Sequence, residues 1–195
     1  MKKVEFVKSV FNVKDLPKLI LPEIIFAGRS NVGKSSFINY FLNSKIALTS
    51  STPGKTRSIN YFKIDERFYL VDLPGFGYSK AGKDISNKWV HLLNDFFNVP
   101  NRNRIVLHLV DSRHLPTQLD SLFKEMITQY PVEYIILLTK IDKLSGNELT
   151  QNTKRIASFK DDLSIGENVF PVSTVKNVGR NEINKLIESF IKNVG

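Results

Sequence analysis

GRSNVGKS, residues 28–35, matches the G-x-x-x-x-G-K-S pattern of a phosphate-binding loop, the P-loop. The apolar run at residues 22–28 predicts a strand before it, and the pattern at residues 34–42 predicts a helix after it. Glycines let backbone N–H groups wrap phosphates, and the N-terminus of a helix adds a favourable dipole. We therefore predict that Lys34 contacts the β- and γ-phosphates of a nucleotide and that Ser35 binds Mg²⁺. The alternative is a chance glycine turn, which the flanking strand and helix disfavour.

The apolar runs and helical patterns around this loop indicate the fold class. Runs rich in Val, Ile and Leu are too continuous for edge strands, and they alternate with helical patterns. The predicted strands are residues 22–28, 59–64, 67–73, 104–111, 133–142 and 166–173, the predicted helices are 34–42, 84–99, 116–130 and 181–194, and a loop is predicted at 47–58. Asp84 is the predicted N-cap of the second helix. We predict a single α/β domain over residues 1–195, with a mostly parallel central sheet, helices on both faces, and ligand sites beyond the carboxyl ends of the strands.

Composition excludes several classes of protein. The chain has no cysteine, so it can have neither a disulfide framework nor a thiolate metal site. Nothing in it approaches the ~18 consecutive apolar residues of a membrane span. The first residues also lack the apolar run of a signal peptide. We therefore expect a soluble, cytoplasmic protein with no membrane partner.

Positive charge is concentrated in the N-terminal third of the chain. The formal net charge is +9, and residues 1–60, with ten Lys or Arg and three Asp or Glu, carry +7 of it. Residues 61–195 hold eighteen basic and sixteen acidic residues, a net +2. A basic surface of this kind can bind nucleic acid. It can equally be a solvated surface beside a phosphate site, and charge alone leaves both interpretations open.

The stretch DLPGFG, residues 72–77, follows another predicted strand. In P-loop NTPases an acid at the end of a neighbouring strand holds Mg²⁺. Asp72 has that position, and we expect it to act through a water, while the backbone N–H of Gly75 contacts the γ-phosphate. Ras-like GTPases have a water-orienting Gln directly after this glycine, whereas this chain has Phe76. An apolar side chain cannot orient water, so we predict that hydrolysis is slow or receives help from elsewhere.

The stretch TKID, residues 139–142, ends a buried strand and predicts which base is bound. The carboxylate of Asp142 can accept hydrogen bonds from N1–H and the N2 amine of guanine. Adenine lacks this donor pair, and a site left with unpaired buried groups rejects the wrong base. Lys140 would lie along the base plane, and VST, residues 172–174, would offer backbone N–H groups to guanine O6. Alone, TKID could be a helix N-terminus; after the two earlier motifs it predicts GTP rather than ATP, and the P-loop GTPase fold.

A threonine in the loop at residues 47–58 is expected to sense the γ-phosphate. Thr49, Thr52 and Thr56 are the candidates. Thr56 is the best choice because it lies nearest the strand that follows, and Thr52 is the fallback.

Two residues are candidates for the missing catalytic help. Asn31 is the fourth residue of the P-loop, where related GTPases use Asn to hold a K⁺ ion against the phosphates. A simple loop hydrogen bond would also explain Asn31. Arg57 is the second candidate, as a cation beside the sensing threonine.

The chain resembles the EngB (YihA/YsxC) family of GTPases in five stretches that occur in this order: AGRSNVGKSSFIN, TPGKTR, DLPGFGYSK, LVDSRH and LTKIDK. The resemblance runs from EFVKS near the N-terminus to the last helix, and DLPGFGY and LVDSRH distinguish the family from Era and EngA. It implies a GTP-binding protein needed for assembly of the large ribosomal subunit and linked to cell division and septation. It implies rRNA and ribosomal proteins as partners, and we expect a monomer. DSRH, residues 111–114, has no assigned mechanism, and loop capping is the alternative role.

Together the motifs and the resemblance define a predicted GTP or GDP site. Its nucleotide-binding residues are Gly28, Arg29, Ser30, Asn31, Val32, Gly33, Lys34, Ser35, Ser36, Gly54, Lys55, Thr56, Arg57, Asp72, Leu73, Pro74, Gly75, Thr139, Lys140, Ile141, Asp142, Val172, Ser173 and Thr174. The predicted Mg²⁺ ligands are Ser35, Thr56 and Asp72, and the predicted catalytic residues are Lys34, Thr56, Gly75 and Asn31, the last through K⁺.

Three classes of function are compatible with parts of this pattern. The leading interpretation is a switch, in which Mg²⁺ and GTP order the loops around Thr56 and Gly75 and hydrolysis releases them. A binding module with GTP as a structural ligand is disfavoured by the intact phosphate- and metal-binding residues, although Phe76 leaves it open. An ATP-dependent enzyme is disfavoured by TKID.

Overall fold

A computed structural model of the chain describes residues 3–44, 58–77, 83–157 and 164–194. Its strands are β1 (Val4–Val10), β2 (Glu23–Gly28), β3 (Ile59–Ile64), β4 (Phe68–Asp72), β5 (Arg104–Asp111), β6 (Glu133–Thr139) and β7 (Val169–Pro171). Its α-helices are α1 (Lys34–Leu42), α2 (Lys83–Asn98), α3 (Gln118–Ile127), α4 (Gly146–Ala157) and α5 (Arg180–Val194). Short 3-10 helices span Val13–Asp15 and Ile141–Lys143.

The strands form one seven-stranded sheet in the order β1-β3-β4-β2-β5-β6-β7. The four pairings from β4 to β7 are parallel, and those of β3 with β1 and with β4 are antiparallel. The predicted α/β class with a mostly parallel sheet is therefore confirmed. Since β2 lies between β4 and β5, the carboxyl ends of these three strands meet at one edge of the sheet, where ligands of such folds bind.

The core lies on both faces of the sheet, because successive side chains of a strand point to opposite faces. Ile24 and Phe26 of β2 pack in one cluster with apolar residues of α1 and α5. Ile25 and Ala27 of the same strand pack in a second cluster with residues of α2 and α3. A smaller cluster joins β6 to Ile156 of α4. A strand buried on both faces is apolar at most of its positions, which explains the nearly continuous Val/Ile/Leu runs.

Several predicted boundaries were wrong. Helix α2 begins at Lys83, so Asp84 lies inside its first turn and is not the N-cap. Helix α3 begins at Gln118 rather than at residue 116 because Thr117 caps it with Asp120 in a capping box, and it ends at Ile127 rather than at residue 130. The strand predicted at 133–142 ends at Thr139, and a 3-10 helix begins at Ile141. The strand predicted at 166–173 is limited to β7.

Two elements were missed. Strand β1 pairs antiparallel with β3 at the edge of the sheet, and its half-exposed residues give no clear alternation of apolar and polar positions. Helix α4 is mostly polar, and Ile156 is its main contribution to the core. None of the helices in the described part of the chain combines the length and hydropathy of a membrane span.

Candidate functional site

The P-loop leaves the carboxyl end of β2 and runs into α1. Gly28 lies so close to β5 that a Cβ there would be 2.9 Å from the carbonyl oxygen of Leu109, so a side chain would push the loop off the sheet. Gly33, the N-cap residue of α1, has φ 105°, a conformation that favours glycine. Asn31 also has a positive φ, 66°. These conformations turn the loop back over the start of the helix.

The N-terminus of α1 is suited to a phosphate group. No described side chain caps it, and no described heavy atom lies within 4 Å of a Cβ built on Gly33. The first backbone N–H groups of a helix have no partner within the helix and carry its positive dipole end. The loop therefore offers open space and backbone donors at the position predicted from GRSNVGKS.

Lys34 and Asp72 meet at the centre of the site. The ammonium group of Lys34, on α1, donates a hydrogen bond to the carboxylate of Asp72, at the end of β4. The side chains are 11% and 9% exposed respectively. The predicted phosphate-binding cation and the predicted metal-binding acid are thus brought together from different elements.

The donor set is suited to Mg²⁺ supported by phosphate oxygens. Mg²⁺ commonly takes one or two carboxylates, substrate phosphates and waters, rather than a cage of protein ligands. Asp72 supplies the carboxylate. Ser35 lies in the first turn of α1, next in sequence to Lys34, which forms the ion pair with Asp72. The described residues contain no cluster of three or more His, Cys, Asp or Glu that could hold a metal alone. Asp72 and Ser35 therefore fit Mg²⁺ as ligands that a bound nucleotide would complete.

The segment after Asp72 is hydrogen-bonded to the P-loop. The N–H of Ser30 donates to the carbonyl oxygen of Phe76 at 2.9 Å, and the N–H of Phe76 lies 3.4 Å from the carbonyl oxygen of Gly28. Gly75, the residue before Phe76, is exposed, and a Cβ built on it would lie 3.1 Å from Oγ of Ser30. A change in the backbone at Gly75 would therefore act directly on the phosphate-binding loop.

The ring of Phe76 is turned into the core. It stacks on Phe123 of α3 with ring centroids 5.0 Å apart, and it contacts Trp89 of α2 and His108 of β5, each with centroids 5.7 Å apart. Only 8% of Phe76 is exposed. A residue at this position cannot reach a water at the phosphates without leaving this aromatic pocket.

The TKID residues lie beside the P-loop at the end of β6. The hydroxyl of Thr139 donates to the carbonyl oxygen of Val32 at 2.8 Å. Lys140 has φ 60°, and its Nζ donates to the carbonyl oxygen of Asn31 at 2.9 Å. The predicted base-binding stretch is therefore attached at two points to the predicted phosphate-binding loop.

Asp142 is oriented by a residue from the loop after β7. The hydroxyl of Ser173 donates to its Oδ1 at 2.7 Å, and the same hydroxyl oxygen accepts the N–H groups of Val175 and Lys176, at 3.2 and 3.0 Å. A carboxylate fixed in this way keeps its second oxygen and the remaining lone pair of the first for the paired donors of guanine. Sequence reasoning had given the Ser173 stretch only a backbone role, and nothing in VST alone indicates this side-chain contact.

Two of the backbone N–H groups that VST, residues 172–174, is predicted to offer to guanine O6 are hydrogen-bonded within the protein, namely those of Val172 and Ser173. The N–H of Val172 donates to Leu138 at 2.8 Å, and that of Ser173 donates to Val178 at 3.1 Å, because both groups continue the backbone hydrogen bonding at the end of the sheet. The N–H of Thr174 makes no bond between described residues. Thr174 is therefore the remaining candidate of the three for guanine O6.

The other predicted site residues divide into three groups. Buried side chains of the core, which can reach a ligand only through their backbone, are Val32, Leu73, Pro74 and Ile141. Ser30 and Ser36 are more accessible residues of the loop and of α1. Outside the described residues lie Thr49, Thr52, Gly54, Lys55, Thr56 and Arg57, including the predicted γ-phosphate sensor, and their roles stay predictions.

A polar cluster that joins Arg29 of the P-loop to the buried residues Asp120 and His108 was not predicted. Nη1 of Arg29 lies 3.9 Å from Oδ2 of Asp120, the acid of the α3 capping box. Nε2 of His108 lies 3.3 Å from Oδ1 of Asp120 without the alignment of a hydrogen bond. Burial raises the pKa of Asp120, but the contact with His108 and the hydrogen bonds from Thr117 outweigh burial and lower it. This cluster links the loop to the aromatic pocket of Phe76.

Comparison with known families agrees with the geometry. The sequence profile of the family described as "50S ribosome-binding GTPase" matches residues 23–140. The chain is 41% identical over 189 residues to the probable GTP-binding protein EngB of Kosmotoga olearia, covering 96% of this chain and 98% of that protein. It is also 41% identical over 196 residues to the probable GTP-binding protein EngB of Fusobacterium nucleatum, covering 99% of each.

Solved structures support the fold. The crystal structure of a probable GTP-binding protein EngB aligns with a TM-score of 0.67 at 24% identity, over 88% of this chain and 99% of that one. Era, in complex with MgGDPNP and nucleotides 1506–1542 of 16S ribosomal RNA, aligns with a TM-score of 0.64 at 19% identity, over 89% of this chain and 57% of that one. At these identities the likeness concerns the fold alone.

Proposed function

The chain belongs to the EngB family of GTP-binding proteins, and from that premise we propose that it is a slow, Mg²⁺-dependent GTPase that acts as a switch in assembly of the large ribosomal subunit. The hydrolysed substrate is GTP, and the products are GDP and phosphate. The matching family is described as "50S ribosome-binding GTPase". A partner rich in RNA is consistent with the positive charge of the N-terminal third of the chain.

The observation that carries the switch is the pairing of the P-loop with the segment after β4. The hydrogen bond from Ser30 N–H to Phe76 O, 2.9 Å long, places Gly75 beside the phosphate-binding loop. A γ-phosphate that accepts a hydrogen bond from Gly75 N–H would hold this segment in one arrangement, and its loss would release it. We assign the threonine sensor to Thr56, in the stretch of sequence that precedes β3.

Charge neutralisation at the phosphates is the main catalytic role of the chain. Lys34, which contacts Asp72 at the helix N-terminus, would turn to the β- and γ-phosphates and stabilise the charge that develops as the bond breaks. Ser35 and Asp72, with Thr56, would hold Mg²⁺, which neutralises the phosphate oxygens. Phe76 orients no water because it is buried, so turnover by the isolated chain is slow.

A bound K⁺ ion would supply part of the missing catalysis. Asn31 is exposed in the P-loop. Its backbone carbonyl oxygen accepts a hydrogen bond from Lys140, so the oxygen of its side-chain amide is the proposed cation ligand. The test is GTP turnover in K⁺ and Na⁺ buffers of equal ionic strength, for wild type and Asn31→Ala. K⁺ is expected to raise the wild-type rate and not that of the variant. Equal wild-type rates in both salts would reject the ion and leave Arg57 or the ribosome as the source of help.

The proposed partner is a large ribosomal subunit or its precursor. We propose that the chain binds it as a monomeric, single-domain protein in the cytoplasm. Nucleic acid is polyanionic, so binding to an rRNA surface releases counterions and weakens steeply with salt. The net charge of +7 in residues 1–60 would contribute to this attraction. We propose a further link to cell division and septation. The test is to deplete the protein from cells and to measure septum formation together with the profile of ribosomal subunits.

Salt-dependent co-sedimentation with purified large subunits tests the ribosomal role. We expect the chain to pellet with subunits when a non-hydrolysable GTP analogue is bound, less with GDP, and progressively less as salt rises. Ser35→Ala, which removes a proposed Mg²⁺ ligand, should lose the difference between the two nucleotides. If wild type stays in the supernatant with either nucleotide at low salt, the ribosomal role is wrong while the GTPase account stands.

A further inference from the structure

The carboxylate of Asp111 lies between two cationic side chains at the carboxyl end of β5. Arg113 binds it as a fork, with Nε donating to Oδ1 at 2.9 Å and Nη2 donating to Oδ2 at 2.8 Å. The N–H of Arg113 also donates to Oδ1, at 3.1 Å. Nζ of Lys140 lies 3.0 Å from Oδ2. Both carboxylate oxygens are therefore held by donors, and the side chain has a fixed orientation.

Lys140 connects this carboxylate to the P-loop. Its ammonium group contacts Oδ2 of Asp111 on one side and donates to the carbonyl oxygen of Asn31, at 2.9 Å, on the other. Strands β5 and β6 are paired so that Asp111 lies opposite Thr139, the residue before this lysine. The register of the sheet thus places the carboxylate beside the lysine, independently of any ligand.

Lysine needs such a partner to hold one position. Its long side chain loses much rotamer freedom when fixed, and that of Lys140 is 29% exposed. A single hydrogen bond to a neutral carbonyl offsets this loss only in part, whereas charge-assisted hydrogen bonds are stronger. The side chain of Asp111 is 17% exposed, so its attraction for the ammonium group is screened less than that of a surface pair.

We propose that Asp111 is a positioning residue for guanine-nucleotide binding, which holds Lys140 against the carbonyl oxygen of Asn31 and so couples the base-binding loop to the phosphate-binding loop. Arg113 has the supporting role of orienting the carboxylate. This assigns a function to the DSRH stretch at residues 111–114. The proposal rests on the GTP-binding activity and does not depend on the ribosomal role.

The protonation state of Asp111 agrees with this role. Burial alone raises the pKa of its carboxyl group, but the hydrogen bonds from Arg113 and Lys140 outweigh burial and hold the pKa far below its usual range. The group is therefore ionised at any pH at which a GTPase works. Lys140 keeps its anionic partner throughout that range.

A purely structural role would have different consequences. The carbonyl oxygen of Asp111 accepts the N–H of His114 at 3.2 Å, and its carboxylate accepts the N–H of Arg113, so the residue also closes the turn after β5. If turn closure were its only role, substitution of Asp111 would lower the stability of the fold. Any effect of that substitution on nucleotide release would then be the same with and without Lys140.

A double-mutant cycle separates the two roles. The variants are Asp111→Asn, Lys140→Ala and the double variant, and the readout is the rate of release of a fluorescent GDP in Mg²⁺. We expect Asp111→Asn to speed release about tenfold, the size of one charge-assisted hydrogen bond, and to add little once Lys140 is absent. Asp95→Asn, an equal loss of charge at an exposed position of α2, is the matched control and should release GDP as wild type does.

Arg113→Gln provides a second route to the same answer if Asp111→Asn folds poorly. It removes the fork on the carboxylate without touching the lysine, and it should speed release only where Lys140 is present. Effects that add in full to that of Lys140→Ala, or a wild-type release rate for Asp111→Asn, would overturn the proposal. Failure of wild type itself to bind GDP would instead contradict the GTPase account.

Discussion

Phe76 packs face to face on Phe123, with ring centroids 5.0 Å apart and an angle of 21° between the ring planes. Phe76 directly follows Gly75 of DLPG, where Ras-like GTPases carry a catalytic Gln. This chain uses the position for packing instead, and its core on that side of the sheet continues up to the P-loop. Phe76 therefore contributes to the stability of the fold and not to the positioning of water.

Phe76→Gln is expected to destabilise the protein without speeding hydrolysis. The change removes an aromatic ring from a packed pocket and buries an amide there, a loss of about 3 kcal/mol in the free energy of unfolding. Urea unfolding and GTP turnover measure the two effects. Phe11→Gln is the control, because Phe11 is 67% exposed and its replacement should change stability by less than ~0.5 kcal/mol. Faster turnover with unchanged stability would show that the ring is not needed where it lies.

Asp142→Asn is expected to shift binding from guanine toward xanthine nucleotides. An amide at this position can present a donor to the group at C2, where xanthine has a carbonyl and guanine an amine. Ser173 would still donate to the remaining oxygen, so the loop should keep its shape. We expect a loss of GDP affinity of ~10- to 100-fold, equivalent to a lost hydrogen bond to a charged group, with a gain for XDP. A variant that binds GDP as wild type does would rule out Asp142 as the guanine reader.

Lys34→Ala and Ser35→Ala are expected to weaken Mg²⁺-nucleotide binding strongly while the fold persists. Both side chains lie in the first turn of α1, at the mouth of the site rather than among the residues of the core clusters. Isothermal titration with GDP and GTP measures affinity, and circular dichroism checks folding. Lys185→Ala, an exposed position of α5, controls for the loss of one positive charge. Unchanged affinity in both site variants would remove the basis for the P-loop assignment.

Asp120 is expected to contribute to stability in a pH-dependent manner. Its pKa is lowered in the folded state, so its contribution is fully present above the unfolded value of about 4 and is lost as the pH falls through the lower folded value. The free energy of unfolding of wild type minus that of Asp120→Asn should thus shrink as the pH falls from about 5 toward 3. Urea titrations across this range measure it. A difference that grows on acidification would have the wrong sign for a depressed carboxyl pKa.

The sequence predicted the parts of the molecule that depend on local pattern. Each of the three motifs, GRSNVGKS, DLPG and TKID, begins at the end of an apolar strand. The sheet brings all three motifs to one edge because β4, β2, β5 and β6 are neighbours. Strand β1 could not be predicted in the same way. Its pairing with β3 is non-local, and its exposed Phe6, 55% accessible, breaks the alternation by which an edge strand is identified.

The features missed at the site are long-range side-chain contacts. Ser173 and Asp142 are separated by 31 positions, and Lys140 is 109 positions from Asn31. No local pattern encodes such pairs, because the sheet register decides which side chains meet. The role of Asp111 was invisible for the same reason, although LVDSRH was visible as a stretch typical of the family.

Titration of the purified protein with fluorescent GDP and ADP, each with and without Mg²⁺, tests the central claim most directly. The site joins an open helix N-terminus, a lysine and a metal-binding acid to a carboxylate oriented for guanine. GDP is therefore expected to bind, more tightly with Mg²⁺, and ADP to bind at least ~100-fold more weakly, since adenine leaves Asp142 without its paired donors. Equal affinity for GDP and ADP would contradict the assignment of this site to GTP.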